Sequence, residues 1–320
     1  GALAGQALDA RLLSPKGRKG PRIDDLRVQL SSYGAMVPQL FGRMRVAGTV
    51  IWASELKEHR RKQSNGKGRG STTTYSYSVS LAVALSSRPI VAVRRIWAEG
   101  NLLRGSAGDF KSPAVLRVHP GSEDQMPDPL IAAIEGAGQA PAYRGIGYAV
   151  IEDLDLAPFG NRIPSLTFEV EADQGTTSLG AATAALLGSA ADGSGIVPVE
   201  GLAIADATRA AAVSQMQPFV EPWRRVADGS WQLLGERSPV MAGEPLAAGG
   251  GSGGRRRAGA LAVPRAVEIA AYDPARDFGA TLQRALVPGG AGQTETIALP
   301  AAMSADAGKL LAMRHAATLA

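Results

Sequence analysis

The stretch Thr73-Thr74-Tyr75-Ser76-Tyr77-Ser78-Val79-Ser80-Leu81-Ala82-Val83-Ala84-Leu85 alternates without a miss. Thr73, Tyr75, Tyr77, Val79, Leu81, Val83 and Leu85 share one parity, and Thr74, Ser76, Ser78, Ser80, Ala82 and Ala84 share the other. Successive side chains of an extended chain point to opposite faces, so a period of two reads as a β-strand with one large and one small face. At roughly 3.3 Å per residue this strand is about 43 Å long, against a usual length of about 17–20 Å. Such a strand outruns one small core. A long hairpin, a barrel or a neighbouring subunit must pair and cover it. The small parity suits a polar lumen or a close inter-sheet contact, and an ordinary sandwich strand is the alternative.

Working outward, a second long strand is expected from Phe41 to Leu56, with Met44, Val46, Val50 and Trp52 on one face. Between the two lies a Gly- and Ser-containing segment carrying Lys57, Arg60, Arg61, Lys62, Lys67 and Arg69 against Glu58 alone, which equals the whole net charge of +5. The pair therefore reads as an antiparallel hairpin with a basic, solvated, mobile tip at 57–69. A nucleic-acid patch is the sharper reading of that tip, but no aromatic residues are interleaved for base stacking. Arg255, Arg256 and Arg257 follow the glycine run after Gly249 and read the same way.

The rest of the chain fits a multi-domain, mainly β protein with α+β parts. At 320 residues it is long enough for two or three domains. Aromatics are few and Gly and Pro plentiful, which favours turns and short elements over a helical bundle. Residues 1–20 read as a small-residue helix and linker, with the N-terminus processed or trimmed. A mainly β domain spans 21–173, opening on a strand at Leu26, Val28 and Leu30. It includes further strands at Ile90–Trp97, Leu116–His119, Tyr143–Leu154 and Ser165–Ala172, and a helix near 128–136 opened by Pro129. Residues 174–197 read as a linker with a short helix at 179–188. A small α/β unit at 198–241 has a helix capped by Asp206 and a hairpin across Asp228-Gly229. A flexible Gly/Arg linker at 242–262 leads to a second β domain at 263–320, closed by a helix starting near Ser304.

Residues with chemical capacity form no catalytic pattern. The chain has no cysteine, which excludes disulfides and thiolate metal sites. Its three histidines, His59, His119 and His315, lie in different segments without ligand spacing. Gly193-Ser194-Gly195 lacks the strand–turn–helix setting of a nucleophile elbow. Glu152, Asp153 and Asp155 are the best carboxylate cluster; in a strand only Asp153 and Asp155 share a side. They read as turn acids or as partners of Arg144 or Arg162. Asp273-Pro274-Ala275-Arg276-Asp277 reads as a turn with an Arg–carboxylate clamp. No catalytic, metal or cofactor residue is assigned, no cofactor is expected, and the expectation is a protein that is not an enzyme. No apolar run approaches the roughly 20 residues of a membrane span.

Three stretches together resemble one family. They are Ser31-Ser32-Tyr33-Gly34 with Pro38-Gln39-Leu40-Phe41-Gly42-Arg43 running on to Trp52-Ala53, Tyr143-Arg144-Gly145-Ile146-Gly147-Tyr148 with Leu154 to Pro164 and Phe168-Glu169-Val170, and Tyr272 to Phe278 with Gln283-Arg284-Ala285. In this order they resemble the tail hub proteins of siphophages and of alphaproteobacterial gene transfer agents. The likeness is good over 20–173, weak over 198–237 and moderate over 263–320. It implies a baseplate-hub-like fold with barrel or sandwich tube-type domains, and a structural tail-tip protein joining the tail tube to the tip around a DNA channel. It further implies a homotrimer seated on the distal tail protein ring beside other tail-tip proteins, in transient contact with DNA, in the virion after synthesis in the bacterial cytoplasm. It also implies that the hub is completed by chain beyond residue 320, so that the second β domain is incomplete here. Trp52, Tyr75, Tyr77, Val79 and Leu81 of the long hairpin are then the expected interface. The rival readings are a cell-wall-degrading tail enzyme and a nucleic-acid-binding module using the basic segment.

Overall fold

The computed structural model describes residues 18–19, 36–64, 71–188, 193, 196–205, 208–220, 223–225, 231–233 and 263–319. The expected N-terminal helix, the strand at Leu26–Leu30, Lys67, Arg69 and the linker at 242–262 lie outside these residues. In chain order the elements are β1 (Arg18–Lys19), β2 (Gln39–Ala47), β3 (Thr49–Ala53), β4 (Lys57–Ser64), β5 (Ser71–Ser86), β6 (Ala92–Ala98), β7 (Asn101–Arg104), β8 (Val115–His119), α1 (Pro129–Glu135), β9 (Gly147–Asp155), β10 (Leu166–Glu171), β11 (Thr177–Ser178), α2 (Leu179–Leu187), β12 (Pro198–Val199), β13 (Gly201–Ile204), α3 (Arg209–Met216), β14 (Trp223–Arg225), β15 (Trp231–Leu233), β16 (Ala266–Asp273), β17 (Gly279–Leu286), β18 (Glu295–Ala302) and α4 (Ala305–Leu319). The protein is mainly β, with several sheets, and none closes into a barrel among the described residues. Closure needs the two outermost strands of a sheet to pair. In the sheet built on β5, β8 ends one side and β3 and β4 end the other. The barrel option for the long strand is therefore corrected.

Two compact units interleave along the chain. One takes Arg18–Lys19, 47–85 and 94–168; the other takes 36–46, 86–93 and 169–320.

In the first unit, sixteen-residue β5 is the spine of a six-stranded sheet, pairing with β9, β1, β3 and β4. The long hairpin forms, with different bounds from those expected. Its outgoing limb is β3 and β4, antiparallel to β5 from Thr49↔Ala84 to Ser64↔Ser71. The expected single strand Phe41–Leu56 breaks at Gly48, and β2 runs in a different sheet. A Cβ on Gly48 would overlap the side chains of Val83 and Phe168, so only glycine lets the chain pass this close to the core. The limb breaks again at 54–56, where Ser54 N–H donates to the Ser80 carbonyl (2.9 Å) and Ser80 N–H donates to Ser54 Oγ (3.0 Å). Three residues there face two on β5, which is a β-bulge.

From Tyr77 to Ser86 both faces of β5 are buried. On the large face Tyr77, Val79, Leu81, Val83 and Leu85 are all buried. On the small face Ala82 joins an apolar cluster with Ile131 of α1 and Tyr148 and Val150 of β9, with Trp52 and Tyr143 packed at its margin. Ala82 is small where the helix lies over it, while Ser78 Oγ meets His59 and Ser80 Oγ accepts Asp153 N–H. α1 starts where Asp128 accepts Leu130 N–H (2.9 Å) and Ile131 N–H (3.3 Å) and Pro129 fills the first turn, whose N–H would have no partner.

In the second unit the strands run in the order β17-β16-β18-β13-β2. All these pairs are antiparallel except β16–β18, which is parallel with a register shift between Ala270 and Tyr272. Its core joins Phe41, Leu179, Leu202, Ile269, Leu299 and Leu311, with α4 packed on β16 and β17. α3 is capped by Thr208, whose Oγ1 accepts Ala211 N–H (3.2 Å), so the expected cap at Asp206 moves two residues on. β14 and β15 form the expected small hairpin.

Candidate interaction surface

Lys57–Ser64 is a regular strand where part of a hairpin tip is expected, and residues 65–69 of that expectation lie outside the described residues. It lacks apolar alternation because neither face meets a core: every residue from Lys57 to Gln63 is exposed. Cross-strand register divides its cations between the two faces. Lys57, His59 and Arg61 lie opposite Ser78, Ser76 and Thr74, and Glu58, Arg60 and Lys62 lie opposite Tyr77, Tyr75 and Thr73. On the first face His59 Nε2 is 2.8 Å from Ser78 Oγ, and Lys57 Nζ reaches Asp153 at 3.5 Å. On the second, Tyr77 Oη donates to Glu58 Oε2 at 3.4 Å. Tyr75 and Tyr77 thus stand beside Arg60, an aromatic–cation neighbourhood that the linear sequence hides.

Asp153 has a left-handed backbone (φ 53°) two residues before the end of β9. This turn sends the three acids of the Glu152–Asp155 cluster in separate directions. Glu152 pairs with Arg117 (2.5 Å), Asp153 faces Lys57 while its N–H donates to Ser80 Oγ (3.1 Å), and Asp155 Oδ1 accepts Ala157 N–H (3.0 Å). Arg162 pairs with Glu99 (2.8 Å), and Arg144 Nε donates to the Gln125 carbonyl (3.2 Å). Asp155 is thus a turn acid, one of the two expected roles, while the ion partners of Glu152 and Asp153 are Arg117 and Lys57 in place of Arg144 or Arg162. An open cavity of about 620 Å³ lies beside Ser54, Lys57, Ser78, Ser80, Glu135 and Asp153. No group of three or more His, Asp or Glu able to hold a metal ion occurs among the described residues.

A polar hub missed in the sequence sits under α1. Asp128, fully buried, accepts from Arg117 Nε (2.8 Å) and Nη2 (3.1 Å) and lies 2.9 Å from His119 Nε2. Burial alone would raise its pKa, but the Arg117 and His119 hydrogen bonds outweigh that and hold the carboxyl below its usual range. The Asp128 hydrogen bond, with Glu152, in turn raises Arg117 and keeps it charged. His119 lies opposite Tyr148 in the β8–β9 register and stacks on it, ring centroids 4.3 Å apart. Burial pushes the Tyr148 hydroxyl up to about 12, and Oη makes no hydrogen bond of ordinary geometry. These groups tie β8, β9 and α1 together. The signal available in sequence was Asp128-Pro129, a cap followed by a first-turn proline.

In the second unit Gly42 has φ 59°, and a Cβ there would collide with the Glu200 carbonyl. Its N–H donates to Asp173 Oδ2 (2.8 Å), which also holds Arg88, while Arg43 bridges Glu200 (2.5 Å) and Glu169 (3.5 Å). The 273–277 turn is closed by Asp273 Oδ1 accepting Ala275 N–H (3.0 Å), and Arg45 donates to the Asp277 carbonyl (3.0 Å). His315 lies against Phe219, 3.5 Å from Glu295.

Of the residues expected at an interface, Tyr77, Val79 and Leu81 are buried in the first unit's core. Tyr75 and Trp52 are half-buried, and Trp52 Nε1 donates to Glu135 (2.8 Å). Of the expected basic residues, Lys57, Arg60, Arg61 and Lys62 are brought together on β4.

Among the described residues, Asp128 caps a helix and Arg43, Arg88 and Arg117 each hold a carboxylate. The phage tail protein family matches residues 236–320. A chain of a solved structure described as the virion of a native gene transfer agent particle aligns over 99% of this chain and 82% of its own, with 30% sequence identity and a TM-score of 0.69. The chain belongs to the phage tail protein family. No curated protein matches it in sequence. No helix among the described residues is long and apolar enough to cross a membrane.

Proposed function

We propose that the protein is a structural hub of a phage-like tail tip, joining the tail tube and its distal ring to the tip and enclosing the path of the DNA. The observation that carries this is the alignment of almost the whole chain with a component of a gene transfer agent virion. The phage tail family match over the C-terminal part supports the same reading, as does the order of the three hub-like stretches. In this reading the chain acts without catalysis, as a homotrimer in the virion, and meets its neighbours through surfaces that its own core leaves open. Half-buried Trp52 and Tyr75 and exposed β4 are such surfaces in the first unit. In the second, exposed Leu282 and Leu286 on β17 and Leu310 and Met313 on α4 are others. Light scattering on the purified chain, alone and with the distal tail protein, tests the reading. A trimer or a stoichiometric complex with the ring is expected, and a chain that stays monomeric with the ring present overturns it.

A further inference from the structure

We propose that β4 is an acceptor edge, to which an acidic extended segment of a neighbouring protein adds as a further strand of the first unit's sheet. Among the described residues β4 pairs with β5 alone, so its outer edge presents backbone groups over an eight-residue strand. Alternate residues of such an edge direct both N–H and C=O outward, the template used in strand addition. Two features identify the occupant. All side chains from Lys57 to Gln63 are exposed, so a strand laid alongside meets no covering element. The cations are split between the faces, Lys57 and Arg61 on one and Arg60 and Lys62 on the other. An added strand with carboxylates on both faces would meet them in cross-strand pairs. A second copy of β4 would set like charges opposite one another and is disfavoured. Charged side chains also guard edges against indiscriminate pairing, and an acidic partner is the one such a guard admits. The proposal stands independently of the hub reading, since it concerns the edge and not the particle position.

The test uses the full chain and a labelled eight-residue peptide carrying glutamates on both faces of its extended form, spaced by threonine and valine. Fluorescence anisotropy measures binding, amide exchange by NMR follows Lys57–Ser64, and duplex DNA of matched charge is the rival ligand. The peptide is expected to bind and to slow exchange at alternate amides of β4. The variant R60A/R61A/K62A should weaken it about tenfold, since exposed charge pairs contribute up to about 1 kcal/mol each. No binding, binding without amide protection, or DNA binding more tightly and displacing the peptide would each overturn the proposal. The exchange pattern of the variant without peptide shows that β4 remains a strand.

Discussion

Replacing Asp128 with alanine removes one carboxylate that plays three roles at once. It caps α1 through Leu130 and Ile131, and it is the buried counter-charge of Arg117 and a partner of His119. Loss of a helix cap costs about 0.5–2 kcal/mol, and removing one member of a buried ion pair about 3–5 kcal/mol. The two overlap because one side chain does both. Arg117 keeps Glu152 at 2.5 Å and is 27% exposed, so water and a second carboxylate soften the loss. The expected destabilisation is therefore about 3 kcal/mol, at the low end of the buried-pair range. Urea denaturation followed by circular dichroism should show the midpoint falling by about 1–3 M for slopes of roughly 1–3 kcal/mol per M. The pH dependence gives a second reading. A carboxyl held below its usual pKa when folded contributes stability that is complete above the unfolded value of about 3.9. That stability is lost as pH falls through the lower folded value. Wild type should therefore weaken on the acid side of that window, and the variant should lose this component of the slope. A loss below about 1 kcal/mol, or an acid limb identical in both proteins, would refute the hub as a stabilising device.

Tyr148→Phe deletes a buried hydroxyl that has no well-formed partner, so stability should stay within about 1 kcal/mol of wild type; a larger loss by thermal denaturation would show that Oη is bonded. Ile131→Ala, at a fully buried site where α1 meets Ala82, should cost about 2–5 kcal/mol, read by the same denaturation. Gly42→Ala meets both a left-handed backbone and the Glu200 carbonyl. It should lose about 2 kcal/mol or more, and an unchanged melting temperature would contradict the geometry.

β5 was legible because its alternation reflects a physical constraint along much of its length: large side chains face one packed layer and small ones another. Its buried small face was less so, since Ala82 gives no sign of whether a helix, a sheet or a lumen lies above it. β4 is not legible as a strand because sequence period reports burial, and a strand exposed on both faces has none. The break at Gly48 was hidden for a related reason. The apolar pattern continues through it, and only the approach of Val83 and Phe168 shows why the chain turns there. The polar hub depends on β8–β9 register, which sets His119 on Tyr148 and Arg117 near Glu152. Of its members only Asp128 carried a local mark, the proline that follows it.

The central claim is most directly tested by cryo-electron microscopy of the purified chain mixed with the distal tail ring of the same particle. The hub reading predicts a three-fold assembly of this chain seated on the six-fold ring, with the central passage open. A ring left bare, beside chains that remain single particles, would contradict it.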